Sequence, residues 1–135
     1  MTVFRLKIIT PEKVFYDGEA VQLIAKTAAG NVGILAGHTP YVANIVPSPL
    51  RISENGTDYR VAAVSSGVVK VEGNEVTVVT TAVEWAEDID VARAQRSKER
   101  AEKELAAEQG DKEFRHAEQR LKRALNRLTV SGGKQ

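Results

Sequence analysis

The chain has 135 residues, enough for one compact domain and an appendage but not for two large domains. It contains no cysteine, which excludes disulfides, thiolate zinc sites and a cysteine nucleophile, and its net charge of +1 is too small to argue for nucleic acid alone. At 42% hydrophobic and 27% charged the composition is that of an ordinary globular protein, and no apolar run approaches the roughly 18 residues of a membrane span.

The opening residues alternate like a strand and lack the apolar block of a signal peptide. Phe4, Leu6 and Ile8 interleave with Arg5, Lys7 and Ile9, which predicts a first strand ending at Thr10-Pro11. Val21–Ala25 is a second short run, closed by small residues around Ala28-Ala29-Gly30. Next, Gly33-Ile34-Leu35-Ala36-Gly37-His38-Thr39-Pro40 reads as a shaped loop, of the kind that binds partners when mounted on a β scaffold. On the residues alone the favoured reading of His38 is the plainer one, a local backbone partner. Pro40, Pro47 and Pro49 mark loops or edges rather than central strands. Leu50-Arg51-Ile52 and Tyr59–Val64 flank Glu54-Asn55-Gly56, a hairpin signal because Asn-Gly accepts positive φ. Val68–Val71 and Val76–Thr80 flank Glu72-Gly73-Asn74 in the same manner. Several short strands with turn signals between them predict an all-β sandwich or barrel over residues 1–84.

From about Trp85 there is no proline, and no glycine before Gly110, while Ala, Glu, Lys, Arg and Gln dominate. Asp88 is the expected cap of a first helix running to about Ala107, with Gln109-Gly110-Asp111 as the stop and the next cap. A second helix carries the stripe Phe114, Ala117, Leu121, Ala124 and Leu128, and the tail from Ser131 is expected to fray. Residues 85–135 therefore predict an α-helical antiparallel hairpin. Its first helix offers mostly small residues to the second (Ala94, Ala101, Leu105, with Ala92 and Ile89 near the start), and charge pairs such as Glu99 with Lys103 add little. Such a hairpin is either a plain solvated appendage or one able to leave its docking site.

No catalytic constellation stands out. The histidines, His38 and His116, lie on segments of different architecture, and there is no Walker loop or dinucleotide fingerprint. Asp90 and Arg93 are three apart, and Arg123 and Arg127 four apart, so a helical cleft could gather guanidinium forks for phosphate and a carboxylate for a polar group. Ordinary surface charge pairing explains the same spacing. From Phe114 onward Arg115, Arg120, Lys122, Arg123, Arg127 and Lys134 face a single Glu118, an excess that suits either an acidic partner or a plain solvated face, with the partner slightly favoured.

In combination, the opening Leu6–Glu12, the Gly33–Pro40 segment with its Gly-His-x-Pro ending, and Ile89-Asp90-Val91-Ala92-Arg93-Ala94 resemble the epsilon subunits of bacterial F-type ATP synthases. The resemblance covers nearly the whole chain. It departs at Ser65–Val69, at Val83-Glu84, and at Pro47-Ser48-Pro49, where two prolines stiffen a turn that more usually carries glycine. What it implies is a non-catalytic subunit on the cytoplasmic side of the membrane, held there peripherally. The sandwich would bind the gamma subunit and seat on the c-ring, with the stretch from Asn31 through Gly33 to His38 as the rotor contact. The hairpin would alternate between a state folded on the sandwich and an extended one that enters the alpha/beta catalytic head and blocks ATP hydrolysis. There Arg115, Arg120, Lys122 and Arg123 would meet acidic loops. No cofactor is required, but ATP is implied as a regulatory ligand held by Glu84, Asp90, Arg93, Ala94, Arg100, Arg123 and Arg127. A sandwich adaptor whose basic hairpin grips RNA or an acidic protein is the competing reading, and it predicts salt-sensitive binding.

Overall fold

A computed structural model of the chain describes residues 2–107 and 110–133. The strand expected at the start is β1 (Phe4–Ile9), in which Phe4, Leu6 and Ile8 are buried while Arg5 and Lys7 face solvent. Nine more strands follow: β2 (Val14–Ala20), β3 (Gln22–Thr27), β4 (Gly30–Leu35), β5 (Tyr41–Ile45), β6 (Ser48–Ser53), β7 (Arg60–Val64), β8 (Gly67–Glu72), β9 (Glu75–Thr80) and β10 (Val83–Trp85). Both hairpins foreseen from turn chemistry form, β6 with β7 and β8 with β9, and Gly56 and Gly73 take the positive φ values of 88° and 61° that their turns require.

Hydrogen bonding runs in the order β10-β7-β6-β3-β5-β8-β9-β1-β2, with β4 on the other side of β3. The path narrows to one residue pair, Thr27 opposite Ile45, where it crosses from one half of the sandwich to the other. Inward side chains of both halves, among them Leu6, Leu23, Ile34, Leu50, Ile52 and Val78, make the core. The two ends of the path, β2 and β10, are joined by rings instead of backbone bonds: Phe15 and Tyr16 lie 4.6 and 6.3 Å from Trp85, centre to centre.

Three strands differ from the sequence expectation. β2 has a bulge between its pairings with Ile8 and Ile9 and a glycine at 18, so its alternation is broken on paper but repaired by pairing with β1. β4 takes in the first three residues, Gly33–Leu35, of the stretch read as a shaped loop. Its glycines are tolerated because every residue from Gly30 to Leu35 pairs with β3, and only residues 36–40 are loop. β5 follows Pro40 directly. Pro49 lies within β6 rather than in a loop, but at the end of that strand where β7 is its only paired neighbour.

After β10 comes a 3-10 turn, Ala86–Asp88, and then α1 (Val91–Ala106) and α2 (Asp111–Gly133). The cap of α1 is Asp90, not Asp88: its Oδ1 accepts the Arg93 N–H at 3.0 Å. Asp88 is displaced from that role because Ile89 between them is extended and buried against Ala63 and Val130. That same burial of Val130 holds the last turns of α2 helical through Ser131 and Gly132, where fraying was expected. Gln109, Lys134 and Gln135 lie outside the described residues, as does the side chain of Asp111.

Each helix buries two alanines seven residues apart, Ala94 and Ala101 on α1, Ala117 and Ala124 on α2. Leu105, Leu121 and Leu128 are half-buried, Ala92 is exposed, and Phe114 of the expected stripe is largely exposed. The pair expected between Glu99 and Lys103 does not form; Glu99 accepts from Gln95 instead. Glu104 of α1 pairs with Arg120 of α2, the ion pair that bridges the two helices.

Candidate functional site

The hairpin lies along β6, β7 and the 3-10 turn through α2, and α1 packs on α2. Where the base of α1, the end of β10 and the last third of α2 converge, they leave a cleft of about 260 Å³. Glu84, Asp90, Arg93, Ala94 and Arg127 all line it, together with Asp88 and Ser97. Local folding explains the convergence. The Asp90 cap fixes the first turn of α1, so Arg93 and Ser97, one turn apart, stand on the same side of the helix. Glu84 is positioned by pairing with Ala63 of β7.

Taken alone, the cleft is smaller than the roughly 300–1,000 Å³ of ordinary ligand sites. It continues in both directions. On the sandwich side a recess of about 90 Å³ shares Glu84 and Arg127 and adds Arg123 and Asn126. Along α1 an open hollow of about 430 Å³ shares Arg93 and Ser97 and adds Arg96 and Arg100. The seven residues proposed from the sequence for the nucleotide are thus spread over three neighbouring hollows, together a groove, that share bordering residues.

The groove is basic, and its charges are not all free. Arg127 Nε donates to Glu84 Oε1 at 2.6 Å, with both side chains about two-thirds buried (36% and 33% exposed). Asp90 has one oxygen committed to its helix, and the residue lines the cleft. Among the described residues Arg93, Arg96 and Arg100 of α1 and Arg123 of α2 form no ion pair, which leaves four guanidinium groups with unspent donors. Ser97 and Arg96 were not anticipated. The signal for them was present in the sequence, since 93, 96 or 97, and 100 follow helical spacing.

The basic residues of α2 do not form a single solvent face. Arg115 and Lys122 are exposed, whereas Arg120 and Arg123 are half-buried, the former tied to Glu104 and the latter turned into the groove. At the other expected contact, Asn31 and Gly33 are exposed on β4 and not in a loop. His38, in the loop after β4, is half-buried, with Nδ1 2.8 Å from the Thr39 carbonyl oxygen and its ring edge-on to Tyr41 at 5.7 Å.

A surface feature that motif reading missed lies on the outer face of the other half. Val68, Val79, Ile9 and Val14 are successive cross-strand neighbours over β8, β9, β1 and β2. The three valines are exposed and Ile9 is half-buried, which makes a continuous apolar row on a solvent-facing sheet. Only the registers, unreadable in a single sequence, bring these four together.

Comparison with known proteins agrees with this architecture. Residues 3–86 match the family model described as ATP synthase, Delta/Epsilon chain, beta-sandwich domain, and residues 87–132 match the long alpha-helix domain of the same chain. The ATP synthase epsilon chain of Ruminococcus albus is 58% identical over 135 residues, covering 99% of this chain and 100% of that one. That of Bacillus mycoides is 42% identical over 132 residues, covering 97% and 98%. Among solved structures, a chain of the Euglena gracilis mitochondrial ATP synthase superposes with a TM-score of 0.81 at 19% identity, over 93% of this chain and 79% of that chain; the likeness is one of fold.

Proposed function

The chain belongs to the epsilon-chain family of the ATP synthases, and on that premise we propose that it serves as a non-catalytic rotor-stalk subunit whose hairpin restrains ATP hydrolysis. The sandwich joins the gamma subunit and the c-ring, and holds the protein at the cytoplasmic side of the membrane through them. Among the described residues no helix is long and apolar enough to cross a membrane itself. The apolar row from Val68 to Val14 suits a large protein partner such as gamma. The end formed by exposed Asn31 and Gly33 and half-buried His38 suits the ring.

The observation that carries the regulatory half is the thinness of the hairpin's attachment. Each helix gives the other chiefly alanines, and the apolar contact with the sandwich centres on Ala63, Ile89 and Val130. An alanine in place of a leucine forgoes on the order of 2 kcal/mol of burial per position. Release of the hairpin is therefore affordable, and it would free Arg120 and Arg123 to join Arg115 and Lys122 against acidic loops of the catalytic head.

ATP in the groove opposes that release. Arg93, Arg100, Arg123 and Arg127 supply forks for phosphate oxygens, while the free oxygen of Asp90 and the Glu84 carboxylate take polar groups of the nucleoside. Because the groove is walled by both helices and β10, a ligand there favours the folded hairpin by its differential affinity for that state. The deciding experiment compares ATP hydrolysis by the assembled enzyme carrying the full chain with one carrying a chain ended after Asp88. Faster hydrolysis with the short chain is expected; equal rates would sink the inhibitory role. Calorimetric titration of the full chain with ATP should show binding that weakens in Arg93→Ala. No binding at millimolar ATP would remove the nucleotide from the scheme and leave the subunit in place.

A further inference from the structure

Among the described residues, three side-chain hydrogen bonds tie the helices to the sandwich, and all come from two adjacent residues. One is the Arg127–Glu84 pair already described. The other two leave a single atom: Asn126 Nδ2 donates to the carbonyl oxygens of Ser48 at 3.3 Å and Val64 at 3.2 Å. Ser48 and Val64 are cross-strand partners at one end of the β6–β7 hairpin. The side-chain amide of α2 thus bridges two strands at a point where their register is fixed.

We infer that Asn126 is the latch that positions the folded hairpin, with Pro47-Ser48-Pro49 as its keeper. An amide nitrogen carries two hydrogens, and both neighbours are acceptors with no donor to offer in return. A hydroxyl could serve only one of them, and a carboxylate would be repelled by both. The keeper is stiff on either side. Pro47 and Pro49 fix φ around Ser48, a residue preceding proline is held extended, and the Ser48 hydroxyl donates to the Val46 carbonyl oxygen at 2.6 Å. Ser48 and Val64 are both buried, so their carbonyl groups are held in place before the helix arrives. Preorganised acceptors lose little freedom on docking, and a two-pronged bond fixes the helix in rotation as well as in position. The Arg127–Glu84 pair is a different kind of tie. It borders the 260 Å³ cleft, which Asn126 does not, so a ligand seated in that cleft can break it while the Asn126 bonds stay intact.

This inference rests on the hairpin being mobile, and the test separates the two. The chain has no cysteine, so cysteines introduced at two exposed positions, Glu118 on α2 and Lys70 on β8, can carry spin labels in the full-length protein. Distance distributions then give the ratio of released to folded hairpin. Asn126→Ala should raise that ratio on the order of fivefold, the usual net worth of a hydrogen bond of this kind. Asn126→Asp should raise it more at neutral pH than in acid, where a protonated carboxyl regains one donor. Pro49→Ala should raise it less than either, and Gln119→Ala, an exposed change on the same helix, should leave it where it was. Amide exchange in β8 and β9 serves as the check that the sandwich is intact. If the unmodified chain samples both positions and Asn126→Ala does not move the ratio, the latch is wrong and the mobile hairpin survives. A single distance, that of the folded hairpin, in every variant removes both.

Discussion

The guanidinium carbon of Arg60, on β7, sits 3.7 Å from the centre of the Trp85 ring on β10, the last strand before the hairpin. Phe15 and Tyr16 of β2 pack on the same indole, so one side chain joins both ends of the sheet path and carries a cation. Arg60→Ala is expected to lower unfolding stability by about 1 kcal/mol, part lost cation–π attraction and part lost cover for the ring. Urea titration followed by Trp85 fluorescence measures this, since Trp85 is the only tryptophan of the chain. Arg60→Lys should recover less than half, because a point ammonium cannot stack as a planar guanidinium does.

Two glycines give opposite expectations. A Cβ on Gly67 would stand 2.2 Å from the Val79 carbonyl oxygen and 3.0 Å from Thr80 Cα, backbone that cannot step aside. Gly67→Ala should destabilise the sandwich by about 2 kcal/mol or more, seen as a lower thermal midpoint. At Gly33 the nearest atom to an added Cβ is the flexible Gln22 side chain at 3.6 Å. Gly33→Ala should therefore melt like the unmodified chain, which makes it a clean probe of any partner seated on β4.

Asp90 has two duties that substitution can separate. Asparagine caps helices as well as aspartate does, but carries no charge. Asp90→Asn should keep the first turn of α1, read by amide exchange at Arg93 and Ala94, while weakening nucleotide binding. Asp90→Ala should lose the cap as well, at about 1 kcal/mol of helix stability. Equal loss of ATP affinity in both variants assigns the effect to the carboxylate's charge. Loss in Asp90→Ala alone assigns it to the cap.

Alkaline stability should report on Tyr16. Burial, and after it the nearby negative charge of Glu54, push its phenol up to about 12, and its hydroxyl donates to the Glu19 carbonyl oxygen at 3.2 Å. The fold favours the neutral phenol. Its contribution is complete below the unfolded value of about 10, and it is lost as the pH climbs through about 12. Stability measured from pH 9 upward should fall less steeply in Tyr16→Phe than in the unmodified chain, with the difference confined to that window.

How much of this was legible in the sequence depended on whether the signal was local. The turns at Asn55-Gly56 and Gly73 announce themselves through backbone chemistry, and Phe4, Leu6 and Ile8 through period two. The second half of β4 reads as a loop because Gly33 and Gly37 look like punctuation until β3 supplies a bonded partner for the strand residues. Asp88 and Asp90 are equally good caps by residue type, and only the burial of Ile89 chooses between them. In the groove, Asp90, Arg93, Arg123 and Arg127 were legible by helical spacing and by resemblance. Asn126 was not, because its partners are carbonyl groups 62 and 78 residues away that any residue type would provide.

The shortness of β10 bears on what kind of machine part this is. Its three residues pair with β7 alone, and the chain leaves it through the 3-10 turn for the hairpin. Any pull on the two helices is thus delivered to the end of an edge strand, where backbone bonds open one at a time, as a zipper does. The opposite half of the sandwich, with β1, β9 and β8 each bonded on two sides, lies far along the path and bears load in parallel. The sheet is unevenly tied, with β8, β9 and β1 each held from two sides and the strand that leads to the helices held from one; a released hairpin, as proposed above, would pull on the weaker end.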